Sequence, residues 1–222
     1  MKVTRSFQSI FAVAEPVTRW VSSVEAPLAS RFVLERQYVD VKRVLSPGMI
    51  LLTHRRLNLG NVFLPGFWKH AAIYAPQPGR EGSHAIVHAT VRDGVTQCDL
   101  RDFVLDKDGL AILRPRLDPE RLARVVEHAR RSIGAPYNLR FGSNDDRSYY
   151  CSELVFDCLK VALGSEPFPL RNHWGGAGIT PNDLYEERRC FDLVYEFRHV
   201  WPGAELSRRQ GVMVANAVQT PG

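Results

Sequence analysis

Cys151 sits where a polar loop, Gly142 to Arg147, gives way to the apolar-periodic run Cys151-Ser152-Glu153-Leu154-Val155. That run predicts a helix from Cys151 to Leu163, closed by Gly164. Upstream the pattern is different. Met49-Ile50-Leu51-Leu52-Thr53 is an apolar run of strand length behind the turn Ser46-Pro47-Gly48, and Phe67 to Tyr74 reads as a second strand carrying His70. Ala85 to Val91 gives a third strand, and Asp93-Gly94 turns the chain so that Val95 pairs back as a hairpin. Leu110 to Arg114 is one more strand, ending at Pro115. A run of short strands followed by helices constrains the chain to an α+β fold. The expectation is a small, largely antiparallel sheet packed against the helix that begins at Cys151.

The remaining elements follow from their punctuation. Asp118-Pro119-Glu120 supplies an N-cap and a first-turn proline, with Leu122, Val125, Val126 and Ala129 as the buried face of a helix ended by Gly134-Ala135-Pro136. Thr180-Pro181-Asn182-Asp183-Leu184 opens another short helix, and Phe191 to Phe197 reads as a last strand. Residues 1–40 differ from the rest. Phe7, Ile10, Phe11 and Ala14, then Val17, Trp20, Val21 and Val24, repeat at helical spacing around Pro16. Two short amphipathic helices are expected there, either packed on the main domain or acting as a lid or a peripheral membrane contact. The expected organisation is therefore an N-terminal extension over 1–40, a main domain over 41–200 and a weakly patterned tail over 201–222.

The chain of 222 residues carries a net charge of +5 and a pI near 9.2. Its arginines are scattered and no RRM, KH or zinc-finger pattern occurs, so nucleic acid is not an expected partner. No apolar run approaches bilayer length, and residues 1–14 lack the apolar core and cleavage site of a signal peptide. The four cysteines, Cys98, Cys151, Cys158 and Cys190, match neither a zinc signature nor a dense disulfide framework. Reduced thiols in a cytoplasmic setting, with or without membrane association, are the expectation, and no metal or cofactor is implied.

A thiol at a helix start lies beside the positive end of the helix dipole, which favours thiolate, and an imidazole titrates near neutrality. Cys151 and His70 are thus candidates for the two halves of a thiol-based nucleophilic site. Cys158, two turns deeper on a similar face, is expected to be inert core, and Cys98 and Cys190 to be structural. Glu153 is adequately explained as a first-turn acid. The Cys151 backbone N–H, with Tyr137 as a second donor, is the candidate oxyanion site.

The order of these segments resembles the YiiX/YebB-like cysteine peptidases, a circularly permuted branch of the NlpC-type papain-fold superfamily. Ser46-Pro47-Gly48-Met49-Ile50-Leu51 is similar to that family's strand opening, and Lys69-His70-Ala71-Ala72-Ile73-Tyr74 to its histidine strand. Ile86-Val87-His88-Ala89 with Asp93-Gly94-Val95 resembles the following strand, where relatives carry a polar third residue. Pro136-Tyr137-Asn138 through Tyr150-Cys151-Ser152-Glu153-Leu154 is similar to the nucleophile segment, and Thr180 to Leu184 to a helix start. Met49 stands in place of the usual aspartate, and His88 where many relatives have glutamate. The resemblance implies a cysteine hydrolase of peptide or N-acyl amide bonds with Cys151 as nucleophile, His70 as base and His88 orienting His70. It leaves open a lipid acyltransferase or thioesterase on the same fold, as in lecithin:retinol acyltransferase relatives, and a binding module without activity.

Overall fold

A computed structural model describes residues 35–55, 66–79, 85–105, 107–139, 148–173, 176–198 and 212–213. The two amphipathic segments expected within residues 7–24 lie outside the described residues. Helix α1 (Glu35–Val44) is followed by β1 (Ile50–His54), β2 (His70–Tyr74), β3 (Ile86–Thr90) and β4 (Gly94–Cys98). Then come α2 (Leu100–Val104), β5 (Gly109–Pro115), α3 (Pro119–Arg131) and α4 (Cys151–Leu163). The hairpin β6 (Arg171–His173) and β7 (Gly176–Gly178), α5 (Pro181–Glu186), β8 (Phe191–Arg198) and β9 (Val212–Met213) complete the order.

Seven strands form one sheet in the order β4-β3-β2-β1-β5-β8-β9, every neighbouring pair antiparallel. The expected α+β architecture is therefore present, with a wider sheet than expected. β1 and β5 lie at its centre and are covered on both faces, which explains why Ile50-Leu51-Leu52 and Leu110 to Leu113 read as continuous apolar runs rather than alternating ones. The alternation of side chains across a strand then sorts the core into two layers. Ile50, Leu52, Ala71, Ile73 and Val87 face α4 and α3, where Leu154, Val155, Cys158, Val125 and Ala129 complete the layer. Leu51, Ala72, Ile86 and Ile112 face the other way, against Val41 of α1 and Leu100, Phe103 and Val104 of α2.

Two of these elements differ from the sequence expectation. α1 runs across the expected junction at residue 40 and buries Val41 completely in the second layer. Val39, Val41 and Val44 carry too little apolar spacing to announce a helix. Within the expected tail, Val212–Met213 pairs with β8 at Tyr195 and Glu196.

Two junctions matter for the site. The β3–β4 hairpin turns through Gly94 at φ +67, a conformation that side chains disfavour, and a Cβ there would run into the Ala135 carbonyl. The close approach permits Val95 N–H to donate to Ala135 O and Gly134 N–H to Val95 O, both at 2.8 Å. It anchors the segment that carries Tyr137. At the other junction, Asn182 of α5 grips the backbone of Trp68: Nδ2 donates to the carbonyl at 2.8 Å and Oδ1 accepts the N–H at 3.0 Å. Trp68 lies two residues before His70, so α5 fixes where β2 begins. α5 is itself capped reciprocally, with Thr180 Oγ1 accepting Asp183 N–H at 3.2 Å and Asp183 Oδ2 accepting Thr180 N–H at 2.7 Å.

Candidate active site

Cys151 is the first residue of α4, and the chain reaches it through extended Tyr150. Glu153 caps this helix start by accepting Tyr150 N–H at 3.1 Å, and its carboxylate also takes Asn138 Nδ2–H at 3.0 Å. The acid therefore has the structural role expected of it. Asn138 N–H donates to Tyr149 O and Tyr149 N–H to Pro136 O, which lays Tyr137 alongside the approach to Cys151.

The surroundings of the thiol are apolar. Cys151 is 4% exposed and packs in the layer containing Ala71 and Ile73. Burial pushes its pKa up, and the backbone N–H groups of Ala71 and Ser152 pull it partly back. This differs from the expectation that the helix dipole would favour thiolate. Loss of solvent is the largest cause, and the hydrogen bonds from Ala71, Ser152 and the Cys151 N–H offset it only in part. Burial, and then its neighbours Cys151, Tyr150 and Glu153, raise the Tyr137 phenol well above its usual range. Tyr137 therefore keeps its O–H, within electrostatic range of Cys151. Cys158 is fully buried and its thiol is pushed well up by burial, matching the inert role expected of it.

His70 and His88 come together. Nε2 of His70 lies 2.9 Å from Nδ1 of His88, with the rings close to perpendicular and Phe103 of α2 packed against both. His70 is paired across the sheet with Thr53 and neighbours Ala72 in alternation, so its side chain leaves β2 on the α2 face, whereas Ala71 faces α4. His70 is the first residue of β2 and Cys151 the first of α4. Among the described residues no hydrogen bond joins them, and the sulfur meets the Ala71 N–H, which belongs to the peptide bond following His70. The structure thus places Tyr137 within electrostatic range of Cys151, joins His70 to His88, and sets the peptide after His70 against the sulfur.

Both imidazoles are held neutral. His70 is driven well below its usual range by burial first, then by His88 and Lys107, and His88 falls to about 4 through burial and Lys107. The folded protein therefore resists protonation that the unfolded chain accepts. Stability present above about pH 6.5 is expected to drain away as pH falls through 6.5 toward 4, with His88 contributing about 2–3 kcal/mol. Urea unfolding at pH 7 and pH 4.5 checks this, because His88→Asn should flatten the difference by about that amount. Equal losses in the two proteins would contradict it.

Sequence reasoning missed Cys98. Its Sγ lies 3.6 Å from Nε2 of His88, at the end of β4 and on the α2 face. The only sequence signal was its even spacing from Thr96 on a strand next to the one carrying His88. His54, His128 and His173 serve locally, at the Phe67 carbonyl, Asp157 and Asp183 respectively. Asn144, Asp145 and Asp146 lie outside the described residues.

Comparison with known proteins bears on fold and family. The crystal structure of metalloprotein yiiX from Escherichia coli O157:H7 superposes with a TM-score of 0.53 at 17% identity, covering 72% of this chain and 99% of that one. That likeness is one of fold. Its title names a metalloprotein, but among the described residues here no three His, Cys, Asp or Glu side chains are arranged to hold a metal ion. The facing nitrogens of His70 and His88 are occupied with each other. A search of curated proteins found no match. The family profile of permuted papain-like amidase enzymes, YaeF/YiiX, C92, matches residues 44–187, spanning β1 through α5, and the chain belongs to that family.

Proposed function

We propose that the protein is a cysteine-dependent hydrolase of peptide or N-acyl amide bonds that works through an acyl-enzyme on Cys151. The observation that carries this reading is the convergence of three groups at one helix start. They are a thiol at the first position of α4, a protonated phenol of Tyr137 within electrostatic range of it, and the peptide following a neutral histidine against its sulfur. Membership of an amidase family supports it.

In the proposed reaction Nδ1 of His70 takes the proton of the Cys151 thiol as the sulfur attacks the substrate carbonyl carbon. Nε2 of His70 stays on His88 while Nδ1 serves the sulfur, in a contact that tightens in the substrate complex as catalytic hydrogen bonds often do. The tetrahedral oxyanion accepts from the Cys151 N–H and the Tyr137 O–H. His70 then gives its proton to the departing nitrogen, the C–N bond breaks and a thioester remains. Water, deprotonated by His70, attacks the thioester. The acid leaves and the thiol is restored. His88 fixes the tautomer of His70 throughout. Hydrolysis of N-acyl amides and peptides by the purified full-length protein and by Cys151→Ala tests this reading; turnover is expected only in the first. Equal turnover in both would overturn it.

A further inference from the structure

We infer that Cys98 is a positioning residue for the proposed base, a member of a thiol–imidazole–imidazole line that biases which nitrogen of His70 carries the proton. The inference rests on the reading of His70 as the base. The line runs over three adjacent strands on one face of the sheet: Cys98 Sγ to His88 Nε2 at 3.6 Å, then His88 Nδ1 to His70 Nε2 at 2.9 Å. Phe103 packs against both rings, which holds them in register.

Each neutral imidazole owns one N–H, so the line has two arrangements. When the Cys98 S–H donates to His88 Nε2, His88 Nδ1–H donates to His70 Nε2. The single proton of His70 then sits on Nδ1, and the ring cannot accept another there without becoming charged on a nitrogen already filled. When Cys98 accepts instead, His88 donates Nε2–H to sulfur and accepts His70 Nε2–H at Nδ1. Only this arrangement leaves a lone pair on Nδ1 of His70, which has no hydrogen-bond partner among the described residues. It is also the arrangement that suits the working cycle. Once His70 takes the thiol proton, His70 Nε2–H has His88 Nδ1 as acceptor and His88 Nε2–H has the polarizable Cys98 sulfur. Without that sulfur His88 Nε2–H loses its one acceptor among the described residues, in a half-buried position, and the preference for the working tautomer is lost.

Two-bond proton–nitrogen correlation spectra of the uniformly 15N-labelled full-length protein near pH 7 read the tautomers directly. In the wild type His70 and His88 are both expected as Nε2–H forms. Cys98→Ala is expected to populate the Nδ1–H form of both rings and to lower kcat by about 10- to 100-fold with KM little changed. Cys98→Ser keeps an acceptor and is expected to hold both the wild-type tautomers and kcat within a few-fold. Tautomers indifferent to Cys98→Ala, or a serine variant as impaired as the alanine one, would overturn the inference. Because the spectra need no turnover, they separate its failure from failure of the amidase reading. Tautomers that follow Cys98 in a protein whose turnover ignores His70→Ala would remove the base assignment and not the hydrogen-bonded line.

Discussion

Cys151→Ala is expected to abolish amide hydrolysis, lowering kcat by at least about 10⁴-fold, while leaving the fold in place. The magnitude follows from the chemistry. Without sulfur no acyl-enzyme forms, and the oxyanion donors that remain, the residue 151 N–H and Tyr137, can only assist direct attack by water. The stability cost is small by comparison. The substitution removes one sulfur from a layer still filled by Ala71, Ile73 and Leu154, and about 1 kcal/mol is the expected loss. Steady-state kinetics beside a thermal melt distinguish the two effects. A variant that melts like the wild type and turns over nothing is the expected outcome. One that retains activity would move the nucleophile elsewhere.

His70→Ala is expected to lower kcat by about 10²- to 10⁴-fold. The effect is large because burial holds the Cys151 thiol protonated near neutral pH. No preformed thiolate stands ready, so attack depends on a base at the moment of reaction. His70 suits that task as a neutral imidazole with Nε2 committed to His88 and Nδ1 unengaged among the described residues. It also leads directly into the Ala71 N–H that meets the sulfur. Raising the pH should partly restore the variant, since the thiol then ionises without help, and the pH profile of kcat/KM reads this. A loss below about 10-fold, or a profile unchanged from the wild type, would show that Cys151 takes its base from another group.

Much of this site can be read along the chain, and the parts that cannot share one cause. The limits of α4 follow from local chemistry: apolar spacing after a polar loop, and Gly164 in the left-handed conformation at φ 74. Asp118 and Thr180 cap their helices as their positions indicate, each through its side-chain oxygen. The β3–β4 hairpin is fixed by Gly94 for the same local reason. The face of β2 that α4 would cover was not legible. The alternation of His70 with Ala72 and of Ala71 with Ile73 is visible in the sequence, but two layers of similar apolar character compete for the helix. Only the packed structure assigns Ala71 to it. The direction of the Cys151 pKa is hidden for a related reason. A helix start is a local feature, whereas the desolvation that outweighs it comes from residues about eighty positions earlier in the chain. Cys98 belongs to the same class: its partner is ten residues away across a hairpin, and nothing in its own neighbourhood marks it. Asn182 likewise reads only as part of a helix start until its grip on Trp68 is seen.

Sulfur chemistry at the head of α4 is tested most directly by rapid acid quench of the full-length protein during turnover of an N-acyl anilide, followed by peptide mass spectrometry. The expected result is an acyl mass increment on the peptide containing Cys151, absent from Cys151→Ala and accumulating in wild type within the first turnover. An increment on Cys98 instead, or sustained turnover with no acylated cysteine, would contradict it.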